Sequence, residues 1–249
     1  NATLVLSLPK NLKDDAGRPL LNAKRFPLAI RTDLAPPLAK FSSSFGIYEL
    51  NADPALPLTL RYVDPVSKSH AHLNAGMLST KAPLEIIAWM RRIRQVDQDT
   101  WGRPDPGKDE VRVTHFGAED SIFEPRHKIA AIPLPKPLPN KETEVIGIPL
   151  KGAGFHIVEV ASPRLGAALM DKARPYHVRA TGLVTNLALH FKLGGESSLA
   201  WVTRLDDGQP VADAEVTVID CGGKAHAQGR TGKDGILRIN KALPDTSTL

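Results

Sequence analysis

Short alternations of apolar and polar residues run along most of this chain and predict β-strands. A strand places successive side chains on opposite faces, so a period of two indicates one buried and one solvated face. The segments that follow this pattern or are rich in β-forming residues are 3–8, 26–32, 45–50, 58–63, 143–150, 154–161, 187–193, 198–205, 216–218 and 236–239. The chain is therefore predicted to be mainly β.

Polar turns separate these strands at intervals typical of a β-sandwich. Residues 206–210 and 231–235 contain Asp-Gly pairs that supply the positive φ of a tight turn. Residues 151–154 (Lys-Gly-Ala-Gly) predict a hairpin-like turn between the strands on either side. Strands that recur every 8–12 residues or so, with polar turns between them, favour a sandwich from about residue 182 onward.

One segment follows a helical period instead. Between Pro83 and Gln98, the apolar residues Ile86, Trp89 and Ile93 recur at spacings of three and four. Proline is well suited to the first turn of a helix, where its missing N–H group is not needed. We therefore expect one amphipathic helix near 83–98, inserted among the strands.

The prolines and glycines predict how the chain divides. They concentrate at 36–37, at 102–107, at 133–139 and in the turns, and a proline pair such as 36–37 makes a stiff linker. Residues 1–33 hold two predicted strands, too few for a stable sheet, so we expect them to end a domain that starts upstream. The first residue is not methionine, and we expect a piece of a longer polypeptide whose targeting signals lie elsewhere.

Composition and charge exclude several classes of protein. Hydrophobic residues make up 42% of the 249 and charged residues 24%, which excludes a disordered chain and a coiled coil. No apolar run approaches the roughly 18 residues that span a bilayer. The net charge of +5 is spread along the chain, and its densest cluster, Arg91-Arg92-Ile93-Arg94, has no aromatic stacking motif beside it. We expect a solvated helix face there and no nucleic-acid partner.

Candidate catalytic and metal-ligating residues do not combine into a recognisable site. The eight histidines are His70, His72, His115, His127, His156, His177, His190 and His226. His70 and His72 could share one strand face, but no third ligand follows at a recognisable spacing. Cys221, the single cysteine, excludes an intrachain disulfide framework and has no assignable base. We predict no catalytic, cofactor-binding or metal-binding residues and no enzyme; the enzymatic alternative places a site near the helix with His115 or His127.

The last third of the chain resembles a known family. Four segments carry the resemblance to bacterial alpha-2-macroglobulins: 183–192 (LVTNLALHFK), 196–203 (ESSLAWVT), 208–216 (GQPVADAEV) and 229–236 (GRTGKDGI). Residues 154–163 fit the same pattern, as do 8–33 and 36–41 near the start. The resemblance is strong from 154 to 239 and patchy from 50 to 150.

The resemblance implies a protease inhibitor built from successive macroglobulin-like domains. In this family a protease cuts a bait region, the body rearranges, and a Cys-Glu-Gln thioester captures the protease. Bacterial members are periplasmic, commonly lipid-anchored to the inner membrane, and work with a peptidoglycan synthase. This chain contains no Cys-x-Glu-Gln motif, and residues 221–224 (Cys-Gly-Gly-Lys) do not match it. We transfer neither the thioester nor a bait region, since the loop at 99–110 has no distinguishing feature.

The family fold implies tandem macroglobulin-like (Ig- or fibronectin-like) antiparallel β-sandwiches with one inserted helix near 83–98. The implied domains are 1–35, the C-terminal strands of an upstream macroglobulin-like domain; 38–180, a sandwich with a helical insertion; and 182–249, the next and incomplete sandwich. The chain would be a scaffold piece of a broad-spectrum inhibitor, with proteases as partners of the intact protein and neighbouring domains as partners of the piece. The alternative is an Ig-like binding module of a bacterial adhesin or surface protein, because the Pro-Val-x-x-Ala-x-Val frame at 210–216 recurs in many extracellular sandwiches.

Overall fold

The computed structural model describes most of the chain. The described residues are 2–32, 35–62, 73–100 (97–100 by their backbone), 118, 120–123, 127–132, 134, 143–170 and 174–245. The strands are β1 (Ala2–Leu6), β2 (Leu28–Thr32), β3 (Leu38–Phe41), β4 (Phe45–Glu49), β5 (Ala55–Arg61), β6 (Asn74–Thr80), β7 (Ala130–Ile132), β8 (Thr143–Pro149), β9 (Gly154–Ser162), β10 (Tyr176–Thr185), β11 (Leu187–Lys192), β12 (Ser198–Arg204), β13 (Glu215–Ile219), β14 (Ala225–Arg230) and β15 (Ile236–Ile239); the helices are α1 (Pro83–Thr100) and α2 (Pro163–Leu169). The prediction of a mainly β fold is confirmed.

The chain divides into two compact units, Asn1–Pro36 and Pro37–Leu249. In the first unit, β1 and β2 form an antiparallel ribbon joined by a long loop. The register places Leu4 opposite Ile30 and Leu6 opposite Leu28, so these four side chains share one face of the ribbon. None of residues 2–32 is buried.

The second unit is built around a five-stranded sheet in the order β4-β10-β9-β6-β7. A three-stranded sheet, β3-β5-β8, packs on one face of it, and Leu56, Leu58 and Leu60 of β5 point into the layer between them. Their strict alternation with half-buried neighbours explains why this segment reads as a strand. The core of this sandwich also contains Val158 and Val160 from the central strand β9.

Helix α1 covers the opposite face of the five-stranded sheet. Trp89 and Ile93 pack there against Phe155 and Ile157 of β9, with Ile122 in the same cluster. β9 is therefore covered on both faces, and seven of its nine residues are buried. A strand buried on both faces is mainly apolar on both, which is why this sequence lacks a two-residue alternation.

Two sequence predictions about this region are corrected by the structure. Residues 151–154 do not close a hairpin, because β8 pairs with β5 whereas β9 pairs with β10 and β6 in the other sheet. The turn is a crossover between the two layers of the sandwich. The sheets are also not purely antiparallel, since β4 runs parallel to β10.

Helix α2 was not predicted from the sequence. It begins at Ser162, whose side-chain hydroxyl accepts the Leu165 N–H at 3.0 Å.

Residues 187–245 form a smaller sandwich. Its sheets are β11-β12-β15 and β13-β14, and Ala200, Val202 and Val216 are buried between them. Asn186 is the single residue that separates β10 of the first sandwich from β11 of the second. The Leu205 N–H donates to the Asn186 carbonyl at 2.9 Å, and the Asn186 side-chain amide donates to Asp206 at 3.0 Å.

Candidate functional site

The ribbon of the first unit exposes a continuous apolar face. Leu4, Leu6, Leu28 and Ile30 are 56, 46, 42 and 39% exposed, and the register groups all four on one side. Large apolar patches of this kind mark surfaces that contact another protein layer. A two-stranded ribbon is also only marginally stable by itself, so this face is a candidate interaction surface.

The loop of the ribbon borders an open pocket of about 770 Å³ lined by residues 12–14 and 18–22. Asp14 fixes the loop: its Oδ1 accepts the N–H groups of Ala16 and Arg18 at 3.0 and 2.8 Å, and its Oδ2 lies 2.6 Å from Nε of Arg18. The backbone and side-chain hydrogen bonds from Arg18 lower the pKa of Asp14. Leu21, one of the lining residues, is fully exposed, so the loop adds an apolar side chain to the exposed surface of this unit.

A second apolar stripe lies on the edge strand β11. Leu187, Leu189 and Phe191 are 47, 59 and 43% exposed. The register places Leu189 opposite Val202 and Phe191 opposite Ala200, so the stripe continues the core face of the smaller sandwich. The core of that sandwich is thus only partly covered along β11.

A buried polar cluster lies on the helix side of the five-stranded sheet. Nε of Arg179 donates to Oε2 of Glu159 at 2.8 Å, and the two side chains are only 7 and 5% exposed. The same carboxylate accepts the Ile122 N–H at 2.9 Å and the hydroxyl of Ser121. The guanidinium of Arg179 also donates to the Asp120 carbonyl. Both carboxylate oxygens are occupied, so the cluster holds segment 120–122 against the sheet.

Sequence reasoning did not find this cluster, although a signal was present. Glu159 is a lone charged residue in a strand of otherwise mainly apolar residues, and Arg179 stands in the strand that pairs with it. A charged side chain in a strand buried on both faces requires a partner. The pair was identifiable only once β9 and β10 were known to be neighbours.

The described histidines make structural contacts. His156 is buried, and its ring nitrogens lie 2.7 Å from the Ser79 hydroxyl and 2.9 Å from the Gly152 carbonyl. His127 packs against Trp89, His177 lies 3.1 Å from the Ala118 carbonyl, and His190 packs against Trp201. His70, His72 and His115 lie outside the described residues.

Cys221 is exposed in the turn between β13 and β14. The neighbouring Asp220 carboxylate receives a hydrogen bond from Nε2 of His226 at 2.9 Å and accepts the N–H groups of Gly222 and Lys224. The bond from His226, followed by those from the backbone, lowers the pKa of Asp220. The carboxylate thereby fixes the shape of the turn.

The described part of the chain shows no group of three or more His, Cys, Asp or Glu residues that could hold a metal ion. Over the same residues, no helix combines the length and apolar character needed to cross a bilayer.

Comparison with known proteins supports the family resemblance in the C-terminal part. Residues 184–248 match the family model of the bacterial alpha-2-macroglobulin MG3 domain. The resemblance identified in the sequence is confirmed for this segment, which corresponds to the smaller sandwich. No curated protein sequence matches the chain.

Solved structures of alpha-2-macroglobulin from Escherichia coli are similar in fold. The crystal structure that spans its domains NIE-MG1 is 11% identical, with a TM-score of 0.51, over 83% of this chain and 88% of that one. A crystal structure that spans MG0-NIE-MG1 is 13% identical, with a TM-score of 0.49, over 86% of this chain and 60% of that one. The cryo-EM reconstruction of the native protein is 12% identical, with a TM-score of 0.47, and the chain covers 12% of it.

At these identities the NIE-MG1 structure shows the fold alone, which explains why it and the family model name different domains. The chain spans about 60% of the MG0-NIE-MG1 structure and about 12% of the native E. coli protein.

Proposed function

We propose that this chain is a scaffold piece of a bacterial alpha-2-macroglobulin, a protease inhibitor that traps its targets. The match of residues 184–248 to the MG3 family model carries the proposal. The mainly β fold and its likeness to the NIE-MG1 structure agree with it. The family match also favours this reading over an adhesin module, which the turn and strand patterns alone fitted equally well.

A scaffold role agrees with the chemistry of the buried polar groups. Both oxygens of Glu159 and both ring nitrogens of His156 are engaged by neighbouring side chains or backbone. A catalytic acid, base or nucleophile needs an atom that can reach a substrate. These groups instead stabilise the sheet, so we assign no catalytic role to Glu159 or His156.

The proposed domains follow the family architecture. Residues 1–35 would belong to a macroglobulin-like domain whose other strands cover the apolar face of Leu4, Leu6, Leu28 and Ile30. The region from 38 would be a sandwich with a helical insertion, and the region to 249 would be the next sandwich. Because β10 runs without a break to Thr185, we place the boundary between these two at Asn186 rather than at 180–182.

The exposed face of β1 and β2 gives this domain proposal a direct test. A chain that starts at residue 37 should aggregate less and bind less of a hydrophobic dye than the full chain, because it lacks that face. A chain that starts at residue 16 should aggregate more, since it keeps β2 but loses its partner strand. Equal solubility of the full chain and the two shortened chains would argue against the proposal that residues 1–36 are part of a domain whose other strands are missing from this chain.

For the intact protein we propose the family's setting: a periplasmic inhibitor, lipid-anchored to the inner membrane, with proteases and a peptidoglycan synthase as partners. Its inhibitory step would use a bait region and a thioester outside this chain. The chain itself would transmit and support the rearrangement without binding the protease covalently.

Protease trapping by the intact protein tests the function. After incubation with a serine protease, we expect cleavage of large protein substrates to fall while cleavage of small peptides persists, because the trapped protease is shielded. The isolated 249-residue chain should change neither activity. Loss of peptide and protein cleavage with the isolated chain would refute the scaffold role, and an intact protein that retains no protease would refute the inhibitory role.

A further inference from the structure

One contact joins the turn of the smaller sandwich to helix α1 of the larger one. Gly223 has a φ of +91°, and a Cβ placed on it would lie 2.5 Å from Cδ2 of Leu84. Leu84 stands in the first turn of α1 and is 57% exposed. The backbone of the turn therefore lies directly against the leucine side chain, at a distance that only glycine permits.

The turn holds its shape without help from α1. The Asp220 carbonyl accepts the Gly223 N–H at 3.0 Å, and the Asp220 N–H donates to the Lys224 carbonyl at 3.0 Å. The Asp220 side chain accepts two further backbone N–H groups and is held by His226. Because the turn is preformed, little conformational entropy is lost when it meets the helix.

The other side of the contact is also fixed. The Thr80 hydroxyl at the end of β6 donates to Glu85 at 2.5 Å and accepts the Ala82 N–H at 3.2 Å. These bonds anchor the first turn of α1 to the strand before it. Leu84 is thus presented on a rigid support rather than on a frayed helix end.

The covalent connection between the two sandwiches is a single residue, Asn186. Its carbonyl and side chain bond to Leu205 and Asp206 on the C-terminal side, and the Thr185 carbonyl accepts the Leu50 N–H at 3.0 Å on the other side. The Leu187 N–H also donates to the Thr185 hydroxyl across the joint at 3.0 Å, so rotation about the Asn186 dihedrals requires this bond to break. A second contact away from the joint removes that rotation.

We propose that the turn at 220–224 is a latch that sets the orientation of the smaller sandwich. When Gly223 is seated on Leu84, the two sandwiches of residues 37–245 move as one body. When the contact is broken, the smaller sandwich rotates about Asn186 while both sandwiches stay folded. This device goes beyond the proposed scaffold role, because it makes the orientation of successive domains switchable by one small contact.

Spin-label distances test the latch in the full chain. Labels are placed on cysteines introduced at Lys151 and Lys233, both exposed turn residues on either side of the joint, with Cys221→Ser to remove the native thiol. The parent should give one narrow distance distribution by pulsed electron resonance. Leu84→Glu should broaden and shift it, since it places a charge under the turn while an acidic residue in a first helical turn leaves the helix stable.

Met90→Glu is the matched control, because Met90 is on the same helix and 51% exposed. It should leave the distribution narrow. Gly223→Ala should broaden the distribution as Leu84→Glu does, and the double variant should be no broader than either single variant. The latch would be overturned if the distance distribution were already broad in the parent or did not change with Leu84→Glu. It would also be overturned if Met90→Glu broadened the distribution equally, or if the broadening in the double variant were the sum of that in the two single variants.

Discussion

The buried pair between Glu159 and Arg179 offers a sharp test of what holds the larger sandwich together. In Glu159→Gln the side chain keeps its size and one acceptor oxygen but loses its charge. Arg179, 7% exposed, then loses the carboxylate charge that Glu159 supplies at 2.8 Å. The amide nitrogen also places a donor opposite one of two groups that now donate to the carboxylate, the Ile122 N–H at Oε2 or the Ser121 hydroxyl at Oε1.

The expected loss follows from the burial of both partners. Removing one member of a buried ion pair costs about 3–5 kcal/mol, since the remaining charge is uncompensated. Because glutamine keeps the shape of glutamate, we expect the lower end, about 3 kcal/mol. The matched control is Glu215→Gln in β13: its side chain is 57% exposed and lies 3.9 Å from Arg230. An exposed pair of that kind contributes about 0–1 kcal/mol.

Urea unfolding followed by the fluorescence of Trp89 measures the loss of unfolding free energy in the larger sandwich, close to the Glu159–Arg179 pair. Trp89 is buried against Phe123 in the cluster that contains Ile122. Trp101→Phe and Trp201→Phe leave it as the only fluorescent tryptophan, which avoids mixing signals from two sandwiches that need not unfold together. Hydrogen exchange of the Ile122 amide should accelerate in parallel, because its acceptor is the altered side chain.

The reasoning would be refuted if Glu159→Gln and Glu215→Gln lowered the free energy of unfolding equally. It would also fail if stability fell but the Ile122 amide exchanged no faster. That result would place the loss outside the cluster.

Three further outcomes are expected. Leu58→Ala, at a fully buried position, should cost about 2–5 kcal/mol of unfolding free energy by urea denaturation, whereas Val145→Ala, 63% exposed, should change it by less than about 0.5 kcal/mol. Gly166→Ala should lower the melting temperature, because its Cβ would lie 1.7 Å from a backbone carbonyl oxygen; Gly195→Ala has open space and should not. The hydrogen bonds to Asp220 lower its pKa, so the ionised carboxylate stabilises the folded chain above about pH 4, the pKa of an unfolded aspartate. This stabilisation is lost as the pH falls through the folded pKa, and the difference in unfolding free energy between the parent and Asp220→Asn should shrink over that range. A difference that stays constant with pH would contradict the assignment.

Local pattern predicted the elements that it could encode. The helix near 83–98 and the strands at 187–193 and 236–239 appear within a few residues of their predicted bounds, because a periodic apolar face has one geometry that buries it. The turn residues at 206–210 and 231–235 likewise placed the end of β12 and the start of β15. The sequence segments between 183 and 236 that resemble the family fall almost entirely within the residues that match the family model. They were recognisable because the strands and turns of this sandwich follow one another closely along the chain.

Pairing between distant strands could not be predicted in the same way. The hairpin expected at 151–154 is a crossover because β8 and β9 bury their side chains in different layers. The parallel pair of β4 and β10 joins segments more than a hundred residues apart, and no local pattern specifies such a partner.

By itself, the sequence determined a mainly β protein with a helical insertion and a resemblance to bacterial alpha-2-macroglobulins, because composition, period and turn residues act locally. Only the tertiary structure decided which strands share a sheet, and therefore that Glu159 meets Arg179 and that Gly223 meets Leu84. Gly223 and Leu84 lie far apart in the chain, and Glu159 and Arg179, 20 residues apart, meet only because β9 pairs with β10. Their stabilisation exists only after the sandwich has brought the partners within hydrogen-bond or van der Waals distance.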